Sequence, residues 1–148
     1  MTQYYIGAKQ VLGWPEEKEG QPGYAVQYAD GYISWSPKDT FEAAYLPMGQ
    51  EGDGTLVTQQ MVDAFIKSVE YQTIGEKNTV VRAVLVNGFE IIESSACVDP
   101  KNYDEILGLQ LCLNKIKQKV WLLLGFTLQW AAGGLSKPPV ALQFEKIG

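Results

Sequence analysis

The 148-residue sequence has no histidine. That removes Ser-His-Asp and Cys-His catalysis and most zinc sites, which need an imidazole as base or ligand. Its two cysteines, Cys97 and Cys112, are too few for a disulfide framework or a thiolate metal site. Both read as small buried apolar residues, with a reactive thiol as the alternative reading. Of twelve basic residues only Arg82 is an arginine. Arginine is the usual bidentate reader of phosphate and guanine, so one arginine at a net charge of −5 disfavours duplex nucleic acid as a partner. Long apolar runs are missing too. The longest, Val120 to Phe126, is far short of a membrane span, and no basic region followed by an apolar core opens the chain. The expectation is a soluble protein of the cell interior with no membrane partner.

What is present is an ordinary globular balance, 46% hydrophobic and 20% charged, enough for one domain or two small ones. The densest local signal is Tyr24 to Asp39. Asp30-Gly31 predicts a two-residue hairpin turn. That turn would set Ala29 opposite Tyr32, Tyr28 opposite Ile33, Gln27 opposite Ser34 and Val26 opposite Trp35. One face would then carry Tyr24, Val26, Tyr28, Ile33 and Trp35, and the other Ala25, Gln27, Ala29, Tyr32 and Ser34. Ser36-Pro37, with Asp39 three residues after the serine, predicts a capped helix from Pro37 to about Tyr45. Phe41, Ala44 and Tyr45 on one side of it would cover the aromatic face. Residues 4–12 read as a strand stopped by Gly13-Trp14-Pro15, and Glu16 to Gly23 as a loop.

The glycine-rich stretch around residues 48–55 reads as a linker. Thr58 then predicts a helix cap, followed by Met61, Val62, Phe65, Ile66 and Val69 at helical spacing. Tyr71 to Asn78 reads as a loop. Asn87-Gly88 predicts a second two-residue turn, pairing Val86 with Phe89, Val84 with Ile91 and Arg82 with Glu93. Asp99-Pro100 predicts the start of a long helix with an apolar stripe of Ile106, Leu109, Leu113, Ile116, Val120 and Leu123, widened by Leu107, Leu111 and Trp121. The tail alternates Val140, Leu142 and Phe144 with polar residues, as an edge strand does. The expected fold is α+β in two small units. Residues 1–47 form a β-hairpin/helix module, 48–55 a linker, 56–132 a helix-hairpin-helix (αββα) unit, and 133–148 a tail.

Two resemblances follow from motifs in this order. Thr58-Gln-Gln-Met-Val-Asp-Ala-Phe-Ile-Lys-Ser-Val-Glu-Tyr, Asn87-Gly-Phe-Glu, Ser95-Ala-Cys-Val-Asp-Pro and Asn102-Tyr-Asp-Glu resemble a small tailed-phage family. It is named after gene products forty-nine and sixty-six of two phages, and the likeness covers roughly residues 56–130. It implies a phage accessory protein and supplies no catalytic residues. Where that family's last helix has a charged run, this chain has Leu109-Gln-Leu-Cys-Leu-Asn, which implies deeper burial. Tyr5-Ile-Gly-Ala-Lys, Gly23-Tyr-Ala-Val-Gln-Tyr and Gly31-Tyr-Ile-Ser-Trp-Ser-Pro-Lys are similar to a module that opens many small phage proteins. Some of those continue into domains like the viral sponges that bind the signal of the Thoeris defence. That continuation is absent here, so the likeness concerns genomic role, not a site.

Candidate sites each have a plainer reading. Tyr24, Tyr28 and Trp35, with Trp14 nearby, would stack a flat ring or simply form the core of the first unit. Tyr32 falls on the polar side beside Gln27 and Ser34, where an exposed tyrosine suggests a contact surface. Arg82 opposite Glu93 would be an anion-binding arginine or a structural ion pair. Lys115, Lys117 and Lys119 read as a solvated helix surface. Asp30 is explained by its turn and Asp39 by its cap, so no carboxylate pair is left for acid-base chemistry. The ligand-binding candidates are Tyr32, Ser34, Gln27, Lys38, Trp35, Arg82 and Lys9. No catalytic residue, metal or cofactor is expected. The functional expectation is a non-catalytic phage protein in the host bacterial cytoplasm. It would counter host defence by sequestering a small nucleotide-derived signal or, alternatively, by inhibiting a host defence or replication protein, and would act as a homo-oligomer.

Overall fold

The structure is a computed structural model and describes residues 1–50 and 52–148. It is α+β, with two three-stranded antiparallel sheets, each packed on its own helices. The first sheet runs β1 (Leu12–Pro15), β2 (Gly23–Gln27) and β3 (Ile33–Pro37), followed by α1 (Lys38–Ala44). The strand expected over 4–12 is not formed. Residues 1–11 carry no helix or strand, and Tyr4, Tyr5 and Ile6 are exposed. The Gly13-Trp14-Pro15 segment, expected to end a strand, is itself strand. Pro15 is tolerated because β1 is an edge and needs no donor on its open side.

A two-residue turn does occur in this unit, but at Glu19-Gly20. Both residues have positive φ, 52° and 79°, and Lys18 and Gln21 exchange both backbone hydrogen bonds at 2.9 Å. This is the type I′ geometry, and it makes the expected loop a continuation of the β1–β2 ribbon. At Asp30-Gly31 only the glycine is left-handed, with φ 89°. The turn is therefore three residues, Ala29 to Gly31, and Tyr28 pairs with Tyr32 through its N–H to the Tyr32 carbonyl at 2.9 Å. Asp30 fixes the bend, its carboxylate accepting from the Tyr32 N–H at 2.9 Å. The extra loop residue slips the register by one. Gln27 faces Ile33, Val26 faces Ser34 and Ala25 faces Trp35. Every side chain of β3 thereby changes face relative to the expected pairing.

The second sheet is larger: β4 (Ile66–Ile74), β5 (Asn78–Leu85) and β6 (Glu90–Ala96), in that order. It is preceded by α2 (Gln59–Phe65), where Thr58 accepts from the Met61 N–H as its cap. The helical pattern of Met61, Val62 and Phe65 ends there. Ile66 and Val69 belong to β4, as does the first half of the expected loop. β4 is an edge strand with one face open, so its polar residues outweighed its β-branched and aromatic ones in the sequence pattern. The second unit is thus α-β-β-β-α.

The β5–β6 turn repeats the first. Gly88 alone is left-handed, at φ 88°, the Asn87 amide oxygen accepts from the Phe89 N–H at 3.1 Å, and Leu85 pairs with Phe89. The register slips by the same one residue, so Arg82 faces Ile92 and not Glu93. Thr79, Val81, Ala83 and Leu85 point to one face and are buried there.

That face is covered by α3 (Glu105–Gly133). Asp99-Pro100 opens only a 3₁₀ turn (Pro100–Asn102); the helix starts after Asp104, whose carboxylate accepts from the Ile106 and Leu107 N–H groups. Its buried line is Gly108, Cys112, Ile116, Val120 and Leu124, each four residues on. Of the expected stripe Ile116 and Val120 are buried, whereas Ile106 and Leu123 are exposed. Gly108 and Cys112 take the inner positions because the helix runs close to β5: a Cβ on Gly108 would overlap the Thr79 hydroxyl. The tail after Gly134 has no helix or strand, and Val140, Leu142 and Phe144 are exposed. Of the expected linker 48–55, Glu51 lies outside the described residues and the described remainder has no helix or strand.

Candidate functional site

The corrected register sorts the aromatic residues of the first sheet onto two faces. Trp14, Ala25 and Trp35 share one, and there Trp35 lies flat on Gly23, with its indole N–H donating to the Glu16 carbonyl at 2.8 Å. Trp35 is a packing residue, and Gln27 shares its face. The expected polar grouping of Gln27, Tyr32 and Ser34 is therefore split.

The other face is a row of rings. Tyr45 stacks on Phe41 with centroids 4.9 Å apart, and Phe41 on Tyr24 at 4.3 Å. This is the cover that the spacing of Phe41 and Tyr45 predicts. At the hairpin end Tyr28 and Tyr32 stand side by side, 6.0 Å between centroids and 18° between planes. The slip that moved Tyr32 put it next to Tyr28. Lys9 holds its ammonium 5.5 Å from the Tyr28 centroid, and the Ser34 hydroxyl donates to the Tyr28 phenol at 3.4 Å. Tyr32 is 65% exposed, so the outer surface of its ring is free.

So Tyr32, Ser34 and Lys9 meet around Tyr28. Tyr28 reads as core in the sequence, and only the right loop length would have revealed its role. The phenols at the helix end of the row stay neutral donors at physiological pH. The Glu42 carboxylate, 3.0 Å from the Tyr24 hydroxyl, raises that phenol, while burial and then Tyr28 raise Tyr45.

Lys38 and Arg82 do not join this group. Lys38 is the first residue of α1, and its N–H is already bonded to the Pro22 carbonyl at 3.2 Å. The expected serine cap is absent: Ser36 is still strand and Pro37 occupies the cap without a side-chain bond. Arg82 sits in the second sheet, on the open face, clamped between Glu90 and Glu70. The Glu90 hydrogen bond is the main cause of its raised pKa. Glu93, its expected partner, binds Lys119 instead. An arginine already neutralised by two carboxylates has little left for an anion.

The hydroxyls around the start of α3 are bonded within the second unit. Tyr103 bonds Thr73 at 2.8 Å and buried Thr79 at 2.7 Å, and Glu105 bonds Thr73. The Ser95 hydroxyl donates to the Gly108 carbonyl. The Ser95–Pro100 and Asn102–Glu105 motifs therefore seat α3 on the sheet. A cleft of about 440 Å³ lies between Leu56, Val57, Trp121 and Leu128, open and without a charged lining residue. Among the described residues no group of histidine, cysteine and carboxylates is placed to hold a metal, and no helix is long and apolar enough to cross a membrane.

The model of the phage protein (N4 Gp49/phage Sf6 gene 66) family matches residues 57–131, which is the second unit from the end of the linker through α3. No curated protein and no solved structure matches the chain.

Proposed function

The chain belongs to that phage family, and on this premise we propose that it acts by binding, without catalysis, against an antiviral defence in the host bacterial cytoplasm. The ligand is a small nucleotide-derived signal, and the site is the tyrosine corner of the first sheet. One observation carries this reading: Tyr28 and Tyr32 stand side by side with the Lys9 ammonium and the Ser34 hydroxyl around them, and Tyr32 is open to solvent. A base stacks on the Tyr32 ring, and Lys9 offsets phosphate charge. The likeness of the first unit to modules found ahead of Thoeris sponge domains supports the same role.

Magnitude sets a condition on this reading. One stacked base contributes about 1–3 kcal/mol, and a single exposed charge pair adds at most about 1 kcal/mol. That total corresponds to roughly millimolar affinity, too weak for sequestration. A second wall is required. We infer that this wall comes from the segment 1–11, which holds Lys9 beside Tyr28 and carries the exposed Tyr4 and Tyr5.

A second reading is favoured by the same openness. A flat surface with exposed tyrosine has the composition of a protein-contact patch, and the partner would be a host defence or replication protein. Calorimetry with cyclic nucleotides and ADP-ribose derivatives separates the two. Binding that is lost in Tyr32→Ala and in a variant lacking residues 1–8 supports signal capture. No heat with any of them, together with a stable complex with a host protein, establishes the second reading. Recovery of unchanged signal after heat-denaturing the complex distinguishes binding from degradation.

A further inference from the structure

Lys9 and Gln10 are neighbours in the chain, yet their side chains reach different units. The Lys9 ammonium stands 5.5 Å from the Tyr28 centroid in the first sheet. The Gln10 amide nitrogen donates to the Gly54 carbonyl at 2.6 Å and lies 3.3 Å from the Met48 sulfur, a weaker acceptor. Among the described residues the segment 1–11 makes no other side-chain hydrogen bond. Both acceptors lie in the glycine-rich stretch that reads as a linker in the sequence. Its ends are held. Leu46 and Met48 pack on the core of the second unit, and Val57 is buried in that core. Between them the Asp53 carboxylate accepts from the N–H and the hydroxyl of Thr55, which fixes a local turn.

Gln10 is therefore fastened to a loop that the second unit carries. Gly54 leaves it the room. That residue is left-handed at φ 78°, and a Cβ there would lie 2.7 Å from the Gln10 amide nitrogen. The place also needs a donor, since a glutamate of the same shape would set a carboxylate oxygen against the Gly54 carbonyl. Residues 1–11 have no helix or strand to hold them, and Lys9 is exposed between half-buried Ala8 and Gln10. One exposed cation–π contact contributes less than the rotamer entropy that a fixed lysine gives up. The contact with Tyr28 thus needs a backbone that is already in place, and the adjacent glutamine supplies the anchor.

We propose that Gln10 is the positioning residue of the tyrosine corner: by fastening the segment 1–11 to the loop Met48–Gly54, it holds Lys9 over Tyr28. The second unit thereby sets the geometry of a site on the first. The proposal deepens the reading of that corner as a ligand site, and rests on it for the use made of Lys9. The geometry itself is tested in the ligand-free protein.

The test is the proton–carbon correlation spectrum of the lysine ε-methylene groups in the full chain. A lysine seated over a ring has these protons shifted upfield by the ring current. Lys9→Arg assigns the signal, and Tyr28→Leu gives its position with no ring beneath it. The wild-type signal is expected upfield of that position. Gln10→Ala, Gln10→Glu and Gly54→Ala are each expected to move it to the Tyr28→Leu position, with hydrogen-exchange protection of the β5 amides unchanged. A signal that stays upfield in any of the three overturns the proposal, because Gln10 then serves its loop alone. A wild-type signal already at the Tyr28→Leu position overturns it too, as does loss of β5 protection in the variants, since the whole fold has then loosened. A corner that binds no nucleotide leaves all of these results unchanged, so the two readings fail separately.

Discussion

The two sheets are built on the same hairpin and held in opposite ways. Ala29-Asp30-Gly31 and Val86-Asn87-Gly88 make the same three-residue turn. The side-chain oxygen of the middle residue accepts from the N–H two residues on, and the glycine sits at φ 89° or 88°. Beyond the turns the sheets diverge. The second lies under a 29-residue helix that buries five of its own residues against it. The first lies under a seven-residue helix with no buried residue, and only Gly23, Ala25 and Val26 of its strands are buried. A shared local motif therefore says little about stability; the cover decides it, because burial of apolar area is the larger contribution. The family-matched unit is the stable frame, and the first sheet is a lightly held face that exposes its tyrosines.

The sharpest way to break this contrast is through the cores. Ile116→Ala removes a fully buried side chain from the second core and is expected to cost about 2–5 kcal/mol. Phe41→Ala removes a half-exposed ring and is expected to cost about 1–2 kcal/mol, confined to the first sheet. Denaturant titration followed by tryptophan fluorescence, with Trp14 and Trp35 reporting one sheet and Trp121 and Trp130 the other, reads both. Equal losses in both signals would mean a single cooperative unit.

The turns should behave alike. Gly31→Ala and Gly88→Ala each force an L-residue into the left-handed region, at about 1–2 kcal/mol. The two costs agree if the turns are the same device, but only Gly88→Ala lowers the stability of the second unit. Smaller still are Asp30→Ala and Asn87→Ala, which each remove one exposed hydrogen bond worth about 0.5–1.5 kcal/mol. A marked difference between these two in denaturation midpoint would separate the turns after all.

The smallest effect is one of pH and belongs to the second unit alone. Lys117, then Gln59, hydrogen-bond Asp63 and hold its carboxyl below the usual aspartate value. Its folded pKa is depressed, so its contribution is present above the unfolded value near 4. That contribution is lost as pH falls through the lower folded value. Asp63→Asn should flatten that acid limb in a pH titration of stability. An unchanged limb would show that the α2–α3 pair is idle.

Much of this frame is legible in the residues. The Thr58 cap, the long apolar helix, the α+β division and the cover of Tyr24 by Phe41 follow from capping chemistry and spacing. The registers do not, and one cause accounts for both errors. Asx-Gly permits a two-residue turn with both residues left-handed and a three-residue turn with only the glycine left-handed. The choice depends on which strand faces find cover, and that is a tertiary matter. In the second hairpin the chosen register points Val81, Ala83 and Leu85 inward together, under α3. In the first it brings Tyr32 beside Tyr28 and sends Trp35 to the far face. The tyrosine corner was hidden in the sequence for that reason. Lys9 is a candidate in the sequence without its partner, because residues 4–12 read as a strand and the contact with Tyr28 forms from a segment that has no helix or strand. β4 escaped because Ile66 and Val69 continue the helical spacing of α2, and its residues from Tyr71 on, exposed at a sheet edge, have the composition of a loop.

Native-state hydrogen exchange tests the central contrast most directly, since it reads the opening free energy of each strand separately. The β5 amides, from Thr79 to Leu85, should exchange only with global unfolding. The amides of β2 and β3 should exchange through a local opening at least 2 kcal/mol less costly, roughly thirtyfold faster. Equal protection of β2 and β5 would contradict it, and would make the two sheets one cooperative body.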